Sequence, residues 1–167
     1  MKALLEMKGI SKSFPGVKAL DHVEFRIYEG EVMGFLGENG AGKSTLMKIL
    51  SGIYRRDEGE IIFQGDPYEV TNPREAMDRG VAIIHQELNL VDQMTIYENI
   101  FLGRELGSGM GLDKAAMIAE SNRVLELLNV DIDPRTKVYK LSVAKQQMVE
   151  IAKAMSTNAR IIILDEP

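Results

Sequence analysis

Nine residues, GENGAGKST, have the composition and order of a phosphate-binding loop. Gly37, Gly40 and Gly42 let backbone N–H groups turn inward and crowd one anion, with Glu38, Asn39 and Ala41 between them. A helix opening at Lys43 would add the positive end of its macrodipole. Lys43 reaches β- and γ-phosphates as a point charge, Ser44 closes the pattern and offers its hydroxyl to Mg²⁺, and Thr45 follows it as a further candidate nucleotide contact. A second stretch, IIILDEP, sends four apolar residues into two acids. At the end of a buried strand, Asp165 is suited to hold Mg²⁺ directly or through water. Glu166 beside it is suited to orient or deprotonate a water attacking the γ-phosphate. Apolar runs followed by acids are common, and this one gains meaning from the loop upstream.

The elements around these residues give them the required setting. EVMGFLG, Glu31 to Gly37, reads as a short apolar strand feeding the loop, and Lys43 to Leu50 as the helix behind it, with Leu46, Ile49 and Leu50 on one face. Upstream, LLEMKGISKSF reads as strand around Gly9. HVEFRIY alternates with Val23, Phe25 and Ile27 inward, as a half-buried strand does. GEIIFQGDP is a strand ended by Gly65, Asp66 and Pro67. NPREAMDRG is a helix capped by Asn72, with Pro73 at its first position and Gly80 beyond its end. VAII is a buried strand. Three helices follow, over Thr95 to Leu102, Asp113 to Leu128 and Ser142 to Met155. The second turns Met117, Val124, Leu125 and Leu128 to one side, and the third Met148, Ile151, Ala152 and Met155. Gly107 to Gly111 reads as a loop, and Ile161 to Leu164 is the last strand. The pattern is an α/β phosphate-loop fold with a mostly parallel sheet, a small antiparallel N-terminal sheet and an inserted helical subdomain. The expected division is a core of 1–89 and 157–167 with helices in 90–156.

The bulk composition sets limits. The 167 residues are 45% hydrophobic and 27% charged, as in a globular domain. The net charge of −5 gives no general attraction to nucleic acid or anionic lipid. With no cysteine there is neither a disulfide framework nor a thiolate metal site. His22 and His85 are isolated, without metal-ligand spacing. The apolar runs are too short to span a bilayer, and the N-terminal MKALLEMKGI makes a poor signal peptide.

Taken in order, these motifs resemble the ATP-binding cassette family over essentially the whole chain. Gln86, following VAIIH, stands where the family keeps its Q-loop glutamine, which contacts Mg²⁺ and the attacking water and couples to a transmembrane partner. Phe14, in SKSFPGVKAL, stands where the family keeps an aromatic that stacks on adenine; taken alone it reads sooner as a core aromatic. LSVAKQQMVEIAKAM resembles the signature motif and its helix, and ILDEP the Walker B strand with the catalytic Glu166. IIHQELNLVDQMTIYENIFLGRE is most similar to the ATPases of bacterial importers for ribose, galactose, arabinose and xylose. In that group one polypeptide carries two cassettes in tandem, and this chain resembles the start of the first.

The resemblance implies Mg-ATP binding and hydrolysis coupled to sugar transport. The implied partners are transmembrane permease subunits, a second ATP-binding cassette and, indirectly, a sugar-binding protein, at the cytoplasmic face of the cell membrane. A regulatory nucleotide-binding module without turnover, or a cassette ATPase outside transport, is the alternative. One departure is the signature itself, Leu141, Ser142, Val143, Ala144 and Lys145 where Leu-Ser-Gly-Gly-Gln is usual. It keeps the serine at a helix start, adds a methyl at Ala144 and places a charge at Lys145. The family's signature serves a partner cassette's γ-phosphate, so the change bears on that site. The other departure is that the family's dimer-contact loop and switch histidine lie beyond DEP. The chain is therefore expected to be incomplete at its C-terminus, and by itself to bind nucleotide with negligible turnover.

Overall fold

The computed structural model describes residues 2–38, 40–84, 88–108 and 111–164. The chain forms two compact units, Met1–Arg79 and Gly80–Pro167.

The first unit is built on a four-stranded antiparallel sheet in the order β2-β1-β3-β4. Strands β1 (Ala3–Phe14) and β2 (Val17–Tyr28) are joined by a tight turn at Pro15 and Gly16. Leu5 and Met7 alternate into the core as a strand should, and Ile10 joins them after a slip of one place. A bulge between Met7 and Ile10 makes that slip, with Gly9 at φ 62° and its N–H donated to Glu24 Oε1 at 2.9 Å. Along β2, Val23, Phe25 and Ile27 are half-buried while His22, Glu24 and Arg26 are exposed, as the alternation requires. Strand β3 (Glu58–Phe63) turns at Gln64 and Gly65 and continues as a two-residue β4 (Asp66–Pro67), so the predicted strand end is a hairpin.

Helix α1 (Lys43–Leu50) buries Leu46, Ile49 and Leu50. The Tyr68 hydroxyl closes its end by donating to Leu50 O at 2.9 Å. Burial pushes that hydroxyl up to about 12, so it remains a donor at neutral pH. Helix α2 (Pro73–Asp78) starts as predicted, with Asn72 Oδ1 accepting the Glu75 N–H at 3.0 Å and Pro73 in the first turn.

One expectation fails in this unit. The apolar segment from Glu31 to Leu36 is not a strand, and it has no ladder partner among the described residues. Val32 and Leu36 are each 98% exposed. A run of apolar residues states a preference for burial, but a strand exists only where a neighbouring backbone supplies its hydrogen bonds. Phe35 still packs its ring against Phe25 of β2, with centroids 5.0 Å apart.

The second unit opens and closes on strands β5 (Val81–Ile84) and β8 (Ile161–Leu164), which pair in parallel from Val81 opposite Ile161 to Ile84 opposite Leu164. A parallel pair needs a long crossover, and here that crossover contains α3 (Ile96–Ile100), α4 (Lys114–Leu127) and α5 (Val143–Met155). Their shared core includes Ile96, Ile100, Met117, Val124, Val149 and Ala152. The starts fall where the cap residues predict. Thr95 forms a reciprocal capping box with Glu98, and Asp113 Oδ1 accepts the Ala116 N–H at 2.9 Å.

Two details differ from expectation. Gly107–Ser108 (β6) and Gly111–Leu112 (β7) pair as a short antiparallel hairpin where a loop was expected. The apolar face of α5 is centred on Val149 and Ala152, with Met148 and Ile151 only partly buried, because neighbours contact more than one side of the helix. No described helix is long and apolar enough to cross a membrane.

Candidate functional site: the phosphate loop

The loop delivers an open helix start. Gly42 is the residue before α1, at φ 81° and ψ −1°, a left-handed conformation that a side chain would strain. It has no side chain to cap the helix, and α1 has no acid in its first turn. The first-turn N–H groups of Lys43, Ser44 and Thr45 therefore face no competing carboxylate or hydroxyl cap. Gly42 is also required by space. A Cβ built there would lie 2.5 Å from Ala19 O and 2.8 Å from Leu20 Cδ2, both on β2. The sheet thus fixes how closely the loop folds back.

Lys43 occupies the loop's interior. Its Nζ donates to Gly37 O at 2.6 Å and to Glu38 O at 2.9 Å, while Ala41 N–H donates to Glu38 O at 3.2 Å. Gly37, Glu38, Gly40 and Ala41 are exposed, as is Ser44, whose hydroxyl is the described candidate for Mg²⁺. A loop lined by glycines, an uncapped helix start and one ammonium together fit a polyphosphate, and the serine beside them fits its metal. Among the described residues, no cluster of three or more carboxylates or histidines offers a metal site of its own.

Phe14 ends β1 and is half-buried. Its ring meets Tyr54 edge-on, with centroids 5.3 Å apart, and Lys12 Nζ lies 5.7 Å from its centroid. Tyr54 is in turn hydrogen-bonded through its backbone N–H to Lys48 O of α1. Phe14 is thus tied to the far end of the helix that the phosphate loop opens. Tyr54 carried no signal in the sequence, since a lone tyrosine after a helix has many uses.

The signature segment lies in the second unit. Ser142 precedes α5 with no side-chain capping bond, and Val143, Ala144 and Lys145 are exposed. Leu141 is half-buried, and Gln146 holds the approach by donating Nε2 to Val138 O at 3.3 Å and to Leu141 O at 3.4 Å. The helix start is therefore presented to solvent on a fixed support. Glu150, further along α5, is buried and accepts the Asn89 N–H at 2.8 Å. Sequence reading passes over it, because a glutamate on a helix ordinarily faces water. Asn39, Gln86, Asp165 and Glu166 lie outside the described residues.

The architecture around this loop is that of an ATP-binding cassette. A nucleotide-free ATP-binding cassette from an ABC transporter superposes with a TM-score of 0.84 at 28% identity, covering 99% of this chain and 70% of that one. The ADP conformation of another ATP-binding cassette of an ABC transporter gives 0.83 at 27% identity, over 97% of this chain and 68% of its own. The chain belongs to the ABC transporter family, whose model matches residues 20–167.

Among curated relatives, the galactose/methyl galactoside import ATP-binding protein of Yersinia pestis is 52% identical over 164 residues, 98% of this chain and 32% of the relative. The xylose import ATP-binding protein of Geobacillus kaustophilus is 52% identical over 166 residues, 98% of this chain and 33% of the relative. The chain spans about a third of the length of these relatives.

Proposed function

We propose that this chain binds Mg-ATP through Gly37 to Thr45 as the nucleotide-binding portion of a monosaccharide importer's ATPase. The observation that carries the reading is the uncapped start of α1 with the Lys43 ammonium held among the loop carbonyls. Triphosphate oxygens take the places opposite the first-turn N–H groups, and Lys43 turns from Gly37 O and Glu38 O to the β- and γ-phosphates. Ser44 and Asp165 are the proposed Mg²⁺ ligands, with Gln86 contacting both metal and water. When bound, Mg²⁺ neutralises charge on the β- and γ-oxygens. Glu166 orients the attacking water and takes its proton. Ser142 and the start of α5 serve a γ-phosphate held by a second cassette.

The names of the 52%-identical relatives support sugar import as the task. The partners are then permease subunits, a second cassette and, through the permease, a sugar-binding protein, with the chain at the cytoplasmic face of the membrane. We further propose a functional division into a helical subdomain, 90–156, and a core made of 1–89 and 157–167.

Calorimetric titration with Mg-ATP tests the reading. Lys43→Ala removes the loop's only side-chain cation and is expected to weaken binding by about 2 kcal/mol or more, roughly thirtyfold. Equal affinities would remove the loop from the site. Phe14→Ala separates the adenine from the phosphates. It is expected to weaken ATP binding while inorganic triphosphate binds as before, and parallel losses for both ligands would make Phe14 a packing residue instead.

A further inference from the structure

The connection from α1 to β3, residues 51–57, is bonded at both of its ends. On the helix side, the N–H groups of Ile53 and Tyr54 both donate to Lys48 O, at 2.8 and 3.0 Å. On the strand side, Asp57 holds the end of β1. Its Oδ1 accepts from Lys12 Nζ at 2.6 Å, its Oδ2 accepts the Ser13 N–H at 2.7 Å, and its own N–H donates to Ser11 O at 2.9 Å. Backbone pairing of β1 with β3 stops at Ser11 opposite Glu58. The Asp57 carboxylate therefore carries the contact two residues past the end of the ladder, to the residue before Phe14. Within the same connection, Tyr54 sets its ring edge-on against that of Phe14.

An exposed ion pair alone is a weak fastening, since both side chains lose freedom and water competes for each. Asp57 divides its oxygens between an ammonium and a main-chain N–H, and a charge-assisted bond to a main-chain N–H is short and directional. The Lys12 ammonium first, and then the Ser13 N–H, hold the carboxyl below the usual carboxylate range, so it is ionised at neutral pH. Pairing with β2 runs on to Phe14 opposite Val17, so the β1–β2 hairpin forms with or without this carboxylate. The hairpin by itself does not set where Phe14 stands along α1. At the phosphate end of the helix, Gly42 comes close to Ala19 and Leu20 of β2. At the far end, 51–57 makes the link, through Asp57 and Tyr54.

We propose that Asp57 is a positioning residue for the base: it fixes the Phe14 ring relative to α1, so that the ring stands at the distance an adenine needs when its phosphates occupy the loop. Asp57 itself touches no part of the nucleotide. The inference rests on the reading of Phe14 as the adenine-stacking residue and of Gly37 to Thr45 as the phosphate site.

The test is calorimetric titration of the natural full-length protein with Mg-ATP and, separately, with magnesium and inorganic triphosphate. Asp57→Ala is expected to weaken Mg-ATP binding about fivefold, because a displaced ring forfeits part of its stacking on the base. Triphosphate affinity should stay within about twofold, since the loop is untouched. The lost negative charge acts on both ligands alike, so their ratio reports the ring. Asp57→Asn keeps an acceptor for the Ser13 N–H and should recover most of the loss. The Asp57 side chain is 43% exposed, so both variants are expected to fold. In a Phe14→Ala background, Asp57→Ala should make no further difference, because the ring it positions is gone.

Unchanged Mg-ATP affinity in Asp57→Ala, equal losses for ATP and triphosphate, or an undiminished effect in the Phe14→Ala background would each overturn the inference. Phe14→Ala alone separates the two levels. If it weakens both ligands equally or neither, the stacking reading fails and this inference with it. If it is selective for ATP while Asp57→Ala is not, only the positioning role of Asp57 fails.

Discussion

On the proposed role of Glu166, Glu166→Gln is expected to lower ATP turnover by about a hundredfold or more, with Mg-ATP affinity held or tightened. A positioned general base contributes about 10²- to 10⁴-fold, and the amide keeps the shape of the carboxylate while losing its basicity. On the same proposed role it would also remove a negative charge facing the γ-phosphate, so ground-state binding has no reason to weaken. That split between turnover and affinity distinguishes a lost base from a lost fold. Phosphate release and calorimetric titration, both on the full-length protein in membranes, give the two numbers. Turnover within about tenfold of the unaltered protein would move the proton-accepting role to another residue.

Gly42→Ala is expected to damage both stability and nucleotide binding. The left-handed conformation at φ 81° costs a non-glycine residue about 1–2 kcal/mol. The new methyl would also stand 2.5 Å from Ala19 O, which belongs to β2 and has the sheet behind it. Overpacking of that kind adds about 1–3 kcal/mol, and the relief has to come from the loop or the first turn of α1. Either movement displaces the N–H groups that would hold phosphate. Gly40→Ala is the control, because its φ of 88° carries the same backbone penalty while a Cβ there meets nothing within 4 Å. Denaturant unfolding and Mg-ATP titration of both variants decide the matter. Equal losses at positions 40 and 42 would show that the sheet does not set the loop's approach.

The phosphate loop was legible because all of its chemistry is packed into nine consecutive residues, and a glycine, a lysine and a serine at fixed offsets have few other joint uses. Helix starts were legible for a similar reason, since Asn72, Thr95 and Asp113 each bond a backbone N–H three residues on. What required the structure is non-local. Glu31 to Leu36 has the residues of a strand, yet pairing depends on a neighbour that no window of sequence specifies. The bulge at Gly9 could have been suspected from an isolated glycine in a strand, but its effect, returning Ile10 to the face of Leu5 and Met7, depends on the register with β2. Glu150 was invisible for a different reason. Its hydrogen-bond partner is Asn89, sixty-one residues away, and periodicity within α5 assigns a charged residue to solvent.

The Lys43 ammonium among the loop carbonyls sets a threshold for ligands. Lys43 Nζ already donates to two backbone carbonyls, so on the proposed function phosphate enters by exchange rather than by addition. Each incoming oxygen competes with Gly37 O and Glu38 O, and those carbonyls are handed back to water when it wins. The heat of binding is then a difference between two sets of good hydrogen bonds, smaller than the number of new contacts suggests. A single phosphate brings little charge to that contest, whereas a polyphosphate chain brings several and spans more of the first-turn N–H groups. On the proposed function, selection by chain length then follows from the lysine's own hydrogen bonds, before any residue reads the base or the sugar.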